Sequence, residues 1–280
     1  MTQLSPSSHP HTATIPSQQS GSKSGSPLSS FEFWPGWAFY TPVVIYWILL
    51  GIRYGDFSTP TAANPRIETG GLCGESKSGI LDMAGSVASR WIAPYTTLIT
   101  GTNDTQRALE ALAEKGLSVP VVVKPDVGCN GTGVKLARTE AELTAALAAF
   151  PRRIKLVLQR LIPYKNEAGL FYIRHPDSPR GEISSLTYKD IPMLTGNGHS
   201  TVLDLLKQDP RTSLLLHIYT PRLKARLNDV LAAGETLDLV FAGNHCKGAI
   251  FHNGAADITP ALVDRLDEIM QDIPDFHFGR

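Results

Sequence analysis

The chain is 280 residues long, carries 26 basic against 26 acidic side chains and is 42% apolar. This length admits one large domain or two small ones, and a formal net charge of zero argues against a nucleic-acid binder working through a basic stripe. The 3 cysteines, Cys73, Cys129 and Cys246, stand far apart. An odd, low count without paired metal-ligand spacing predicts a reducing, cytoplasmic setting rather than a disulfide framework or a zinc site.

Residues 1–30 are mostly Ser, Pro, Gln, Thr, Gly and His. Such a segment buries too little apolar surface to offset its ordering entropy, which predicts a disordered tail. It lacks the basic start and apolar core of a secretory signal. The composition flips over residues 31–58. Trp34 to Ile52 reads WPGWAFYTPVVIYWILLGI without a charge, close to the roughly 20 residues that cross a hydrocarbon core. Aromatic residues crowd its start and Arg53 follows its end, as at membrane interfaces. Two readings stand: contact with a membrane through residues 34–52, lying or spanning, and an aromatic helix docked on a soluble protein. Pro35, Gly36 and Pro42 count against one straight helix. For a spanning helix, Arg53, Arg66 and Lys77 outweigh Lys23 and place the rest of the chain on the cytoplasmic side. Thr59 to Ser78 reads as loop; its GGLCGESKSG run lacks the phosphate-loop spacing and is read as a structural turn, with substrate contact as the alternative.

Regular periodicity begins at Asn103. A helix is expected over Asn103 to Lys115, stopped by Gly116. Strands are expected over Val119 to Lys124 and Gly133 to Ala137. Thr139 and Glu142 form a capping-box signature opening a helix to Phe150. Further strands are expected over Leu156 to Ile162, Ala168 to Arg174, Glu182 to Lys189, Leu237 to Ala242 and Ala249 to His252. Helices are expected over Ser200 to Gln208, over Arg222 to Leu231, and from the Thr259-Pro260 start onward. The fold class is mixed α+β.

The sharpest chemical feature is VVVKPDVGCNGTGVKLA, Val121 to Ala137. A strand delivers Lys124, a loop with Gly128, Gly131 and Gly133 follows, and a second strand returns. Glycines let backbone amides approach phosphate oxygens and form an anion-binding nest, and Lys124 adds a point charge. An ordinary glycine-rich hairpin carries the same local pattern.

This loop, the helix after it and the strand LVLQRLIPYKNEAGLFYIR together resemble the ATP-grasp superfamily, in its D-alanine–D-alanine ligase-like and carboxylate–amine ligase branch. The resemblance implies two α+β subdomains sandwiching ATP, with the domain over residues 119–280 and a loop-rich, helical region over 59–118 before it. It implies that Lys124, Gly128, Gly131 and Gly133 hold phosphates. Gln159, Arg160, Leu161 and Ile162 would form the adenine hinge, with Glu167 near the ribose. Lys189, in SSLTYKD, would reach the γ-phosphate, and Arg280 would contact substrate or phosphate. The implied chemistry is ATP-dependent ligation of a small-molecule carboxylate to an amine through an acylphosphate, with Mg2+ neutralising the triphosphate.

In that family the segment resembling PDFHFGR is followed by strands whose carboxylates hold magnesium. The resemblance therefore implies a domain incomplete at its C-terminus, with no metal ligand in this sequence. Asp264, Asp267, Glu268, Asp272 and Asp275 are expected on a solvated helix face. Two alternatives accompany the ligase: an inactive, truncated nucleotide-binding relative, and a membrane-associated interaction protein. His245, in GNHCKGAIF, is the histidine placed closest to the implied site.

Overall fold

The computed structural model describes residues 34–129, 131–164 and 166–279. The tail expected over 1–30 and the candidate residue Arg280 lie outside them. Packing divides the chain into two units, Met1–Phe39 and Tyr40–Arg280. Helix α1 (Gly36–Tyr54) begins in the first. At its far end the chain turns back: Asp56 N–H donates to Gly51 O at 3.1 Å and the Trp47 indole N–H donates to Phe57 O at 3.1 Å.

In the second unit, a first antiparallel sheet orders its strands β1-β4-β2-β3, with β1 (Tyr95–Ile99), β2 (Val121–Pro125), β3 (Lys135–Ala137) and β4 (Lys155–Arg160). Alternation sends Val121, Val123, Leu156 and Leu158 to one face, where they pack with Leu112 of α3 (Asp104–Glu114) and Leu143 of α4 (Glu140–Ala148). Lys124 and Gln159 therefore point to the other face. Gly116 ends α3 at φ +64°, in the left-handed conformation that only glycine adopts cheaply. Thr139 caps α4, accepting from Glu142 N–H at 3.1 Å. Glu142, however, accepts from Arg138 N–H at 2.6 Å rather than closing a capping box on Thr139.

A second antiparallel sheet runs β10-β5-β6-β9, with β5 (Glu167–Ile173), β6 (Glu182–Asp190), β9 (Ile250–Asn253) and β10 (Phe278–Gly279). Helix α8 (Pro260–Gln271) seats Leu266 against Tyr172 and Ile183 on one face. A third cluster gathers α5 (Val202–Gln208), α6 (Pro210–Leu214) and α7 (Leu216–Arg222) beside the small sheet β7 (Met193–Thr195) and β8 (Thr236–Asp238), around Val202, Leu206 and Tyr219.

Four expectations need correcting. Leu161 and Ile162 lie beyond the end of β4 at Arg160. The strand expected over Leu237 to Ala242 shortens to Thr236–Asp238. The helix expected over Arg222 to Leu231 is absent, because its backbone is used elsewhere: Asp229 O and Leu227 O accept from Val202 and Leu203 N–H at 2.9 and 3.0 Å. The helix forms earlier, where Asp209 accepts from Arg211 and Thr212 N–H and Pro210 takes the first position. Finally, the acids of α8 are not all solvated. Asp267 is 7% exposed and accepts from Tyr172 Oη, Gly181 N and Gln271 Nε2 at 2.6, 2.8 and 2.7 Å. Asp272 accepts from Val87 and Ala88 N–H at 2.8 Å each.

Candidate functional site

The strand that carries Lys124 ends at Pro125 and the loop follows at once. Lys124 Nζ donates to Gln159 Oε1 at 2.7 Å, across the paired strands β2 and β4. Gln159 Nε2 donates in turn to Ala93 O at 2.7 Å, which fixes the amide's orientation. Burial, with a smaller contribution from the Lys77 ammonium, holds the Lys124 pKa below the ordinary lysine value. In the loop, Gly131 and Gly133 take φ of +63° and +74°. At Gly133 a Cβ would also lie 2.8 Å from Pro125 Cγ, so the tight return needs glycine for space as well as conformation.

The loop is held from two sides. From one, helix α2 (Lys77–Asp82) docks its first turn on the base of the loop. Asp126, 3% exposed, accepts from Ser76 Oγ at 2.6 Å and from Ser78 N–H at 2.7 Å, with Lys155 Nζ 3.8 Å away. Burial alone would push this carboxyl up, but the serine hydrogen bonds and the Lys155 charge overcome it and hold the pKa low. Lys77 Nζ then donates to Gly128 O at 2.6 Å. From the other side, Lys247 Nζ donates to Gly131 O at 2.6 Å. Burial and the Arg222 charge hold the Lys247 pKa down.

The second sheet presents a row on the face turned away from α8. Glu167 pairs with Lys189 across β5 and β6, and Lys189 with Phe251 across β6 and β9. Lys189 Nζ stands 3.5 Å from Glu167 Oε2 and 6.0 Å from the Phe251 ring centre. Gly243 N–H donates to Glu167 Oε1 at 3.1 Å. His245 lies with its ring centre 5.2 Å from that of Phe251; burial and the Arg211 charge lower its pKa. Because Lys247 follows His245 by two residues and touches Gly131, the polar turn at 243–247 links the second sheet to the loop of the first.

Lys124, Gly128, Gly131, Gly133 and Gln159 thus stand together on one side, and Glu167 and Lys189 on the other, with Lys247 between. Arg160 ends β4 with an exposed side chain, and Ile162 is 47% exposed. Sequence reading missed Lys77, Asp126 and Lys247. Lys77 stood in a glycine-rich run read as a turn, and Lys247 in a polar turn noted for its histidine; neither spacing shows which loop carbonyl they reach. Cavities of about 440 Å3 beside β1 and α3 and about 290 Å3 beside Trp91 and Arg265 lie away from the loop. The site is defined by convergent polar groups rather than by depth.

Among the described residues no group of three or more His, Cys, Asp or Glu side chains converges on a point. Asp126 is committed to Ser76 and Ser78, and Glu167 to Gly243 and Lys189. This donor set does not fit a magnesium ion, which prefers free carboxylates beside phosphates.

No curated protein sequence matches the chain. Among solved structures it is similar to a bifunctional glutathione synthetase from Pasteurella multocida, at 14% identity and a TM-score of 0.32, covering 70% of this chain and 27% of that one. It is similar to N5-carboxyaminoimidazole synthetase from Staphylococcus aureus complexed with ADP, at 17% identity and a TM-score of 0.31, covering 42% of this chain and 29% of that one. It is similar also to D-alanine–D-alanine ligase from Helicobacter pylori, at 16% identity and a TM-score of 0.29, covering 41% and 35%. The chain spans 27 to 35% of the length of these structures, and likenesses this distant carry no argument about its chemistry. The domain comparison is more direct: residues 87–174 match the RimK-like ATP-grasp domain. That span runs from before β1 through the glycine loop to the end of β5, and over it the chain carries a RimK-like ATP-grasp domain, of a superfamily made up in general of ATP-dependent ligases.

Proposed function

We propose that the cleft between the two sheets binds ATP and that the protein uses it to join a small-molecule carboxylate to an amine or related nucleophile. One observation carries this reading: cationic side chains from separate segments, Lys124, Lys77 and Lys247, gather at the glycine loop. A triphosphate is the chemistry that such a cluster suits, since backbone amides and point charges neutralise it without geometric demands. Lys77 and Lys247 now donate to loop carbonyls; on binding they would turn to phosphate oxygens, exchanging neutral acceptors for charged ones. The adenine would lie at Leu161 and Ile162, past the end of β4, with Glu167 near the ribose and Lys189 near the γ-phosphate.

In the reaction, a substrate carboxylate oxygen attacks the γ-phosphorus as the bond to the ADP oxygen breaks. The nucleophile then adds to the acylphosphate carbonyl, inorganic phosphate leaves and the amine sheds a proton. The lysines position the chain of phosphates and stabilise the charge that moves to ADP. Magnesium is customary in such transfers. A second reading, nucleotide binding without turnover, is favoured by the commitment of Asp126 and Glu167 to protein partners. Calorimetry with ATP, followed by hydroxylamine trapping of acylphosphate over a panel of carboxylates, separates the two. ATP binding with trapped hydroxamate and released ADP supports the ligase, binding without either product selects the second reading, and no binding removes both.

A further inference from the structure

We propose that α1 spans a lipid bilayer as a single pass and holds the folded residues that follow it at the cytoplasmic membrane surface. Seven consecutive residues, Val43 to Leu49, are each exposed, from 39% at Trp47 to 63% at Tyr46. At about 100° per residue they sample every direction around the helix. A helix docked on a protein partner, or on a second copy of this chain, would be apolar along one stripe and polar elsewhere. A helix lying in the headgroup plane would likewise keep a charged face. From Gly36 to Ile52 there is no charged residue, so neither arrangement has a polar face to leave in water. A stretch that is apolar and exposed in every direction over Val43 to Leu49 matches the one solvent that surrounds a helix on all sides, lipid acyl chains.

Length and ends agree. The helix has 19 residues, about 28 Å at 1.5 Å per residue, against a hydrocarbon core of about 30 Å. Trp34 and Trp37 stand at one end and Arg53 and Tyr54 at the other, where amphipathic rings and a cation suit the headgroups. The Trp47 indole, whose donor lipid cannot satisfy, bonds Phe57 O. Gly51, the buried residue of the helix, lies under Phe57: a Cβ there would fall 2.2 Å from the ring. The chain is then tied down quickly. Asn64 accepts from His277 N–H at 2.8 Å and donates to Phe278 O at 3.0 Å. The ten residues from Gly55 to Asn64 reach about 35 Å at full extension, so the domain stays within that distance of the headgroups. Arg53 in the last turn of the helix and Arg66 beyond it outweigh Lys23 before it, which favours the cytoplasmic side for the domain.

The test uses the full chain expressed in bacteria. It is expected in the membrane fraction, retained through alkaline carbonate and released by detergent. Recovery as soluble, monodisperse protein or loss to the carbonate wash overturns the proposal. So does N-terminal sequencing that finds the helix cleaved from the folded part. Val44→Lys with Ile48→Lys should move the chain from the pellet to the soluble fraction, while Val44→Leu with Ile48→Leu leaves it in the membrane; a protease-resistant core in each shows that the remainder is folded. Unchanged pelleting of a folded lysine variant also overturns it. Sidedness is read from Cys73, Cys129 and Cys246, all exposed and free. A membrane-impermeant thiol reagent should leave them unlabelled in intact spheroplasts and label them after lysis; labelling before lysis overturns the cytoplasmic placement. None of these readouts uses ATP, so failure here is distinct from failure of the ligase reading.

Discussion

Replacing Lys124 with methionine tests the nucleotide site at its most specific point, because Lys124→Met keeps the length of the stem and removes the charge. In the free protein the loss has two opposed effects. Gln159 Oε1 loses its donor at 2.7 Å, and an unsatisfied part-buried carbonyl costs about 1–3 kcal/mol. Against this, a cation already disfavoured by burial and by Lys77 is removed. The pH sense of that second effect follows from the direction of the shift. A lysine whose folded pKa lies below its unfolded value binds its proton less tightly when folded, so its cost to stability is present below the folded pKa. That cost is relieved as pH rises from there toward the unfolded value of about 10.4. The two effects leave the melting temperature of the variant within a few degrees of the parent. ATP binding should behave differently. A charge-assisted hydrogen bond contributes about 1.5–3 kcal/mol, which corresponds to a Kd weaker by about 10- to 150-fold. Calorimetry at two salt concentrations should show both the weaker affinity and a smaller salt dependence. Titration in buffers of different ionisation enthalpy should show proton uptake by the parent near the depressed lysine pKa and none by the variant. A folded Lys124→Met protein that binds ATP within threefold of the parent would falsify the assignment of Lys124 to the phosphates.

Asp126→Asn should lower stability by about 2–4 kcal/mol, since it weakens two hydrogen bonds to a carboxylate that is 3% exposed; differential scanning calorimetry should show a fall of roughly 5–15 °C, and no change would mean that α2 is not anchored there. Lys247→Ala frees Gly131 O from its partner at 2.6 Å and is expected to weaken ATP binding about tenfold with little change in melting temperature; unaltered affinity removes Lys247 from the site. Gly133→Ala places a Cβ 2.8 Å from Pro125 Cγ at φ +74°, which should cost about 1–3 kcal/mol and show as a lower urea midpoint. Asp126 and Asp267 both have folded pKa values held below the ordinary one, against the opposing effect of their burial, by hydrogen bonds and nearby cations. Their stabilisation is complete above the unfolded value of about 3.9 and is lost as pH falls through the folded values. Acid unfolding followed by circular dichroism should therefore become less steep in Asp126→Asn, and an unchanged acid transition would count against the linkage.

Local chemistry determined much of this protein directly from its sequence. The β-branched run ending in Lys124, the glycine positions after it, the Gly116 stop, the Thr139 cap and the Thr259-Pro260 start are signals read within a few residues, where sterics and backbone hydrogen bonding decide the outcome. The charge-free Trp34 to Ile52 stretch was equally legible as a helix-length apolar segment. Partnership was a different matter. Whether Asp267 faces water or Tyr172 depends on where Gly181 and Gln271 come to rest. Whether residues 222–231 form a helix depends on the start of α5 claiming their carbonyls. Lys77 and Lys247 lie 51 and 116 positions from the loop carbonyls they reach, and no periodicity encodes separations of that size. Tertiary structure decided these because each buried polar group must find a partner wherever the packed sheets bring one within hydrogen-bonding distance, and that is a property of the assembled fold rather than of any segment.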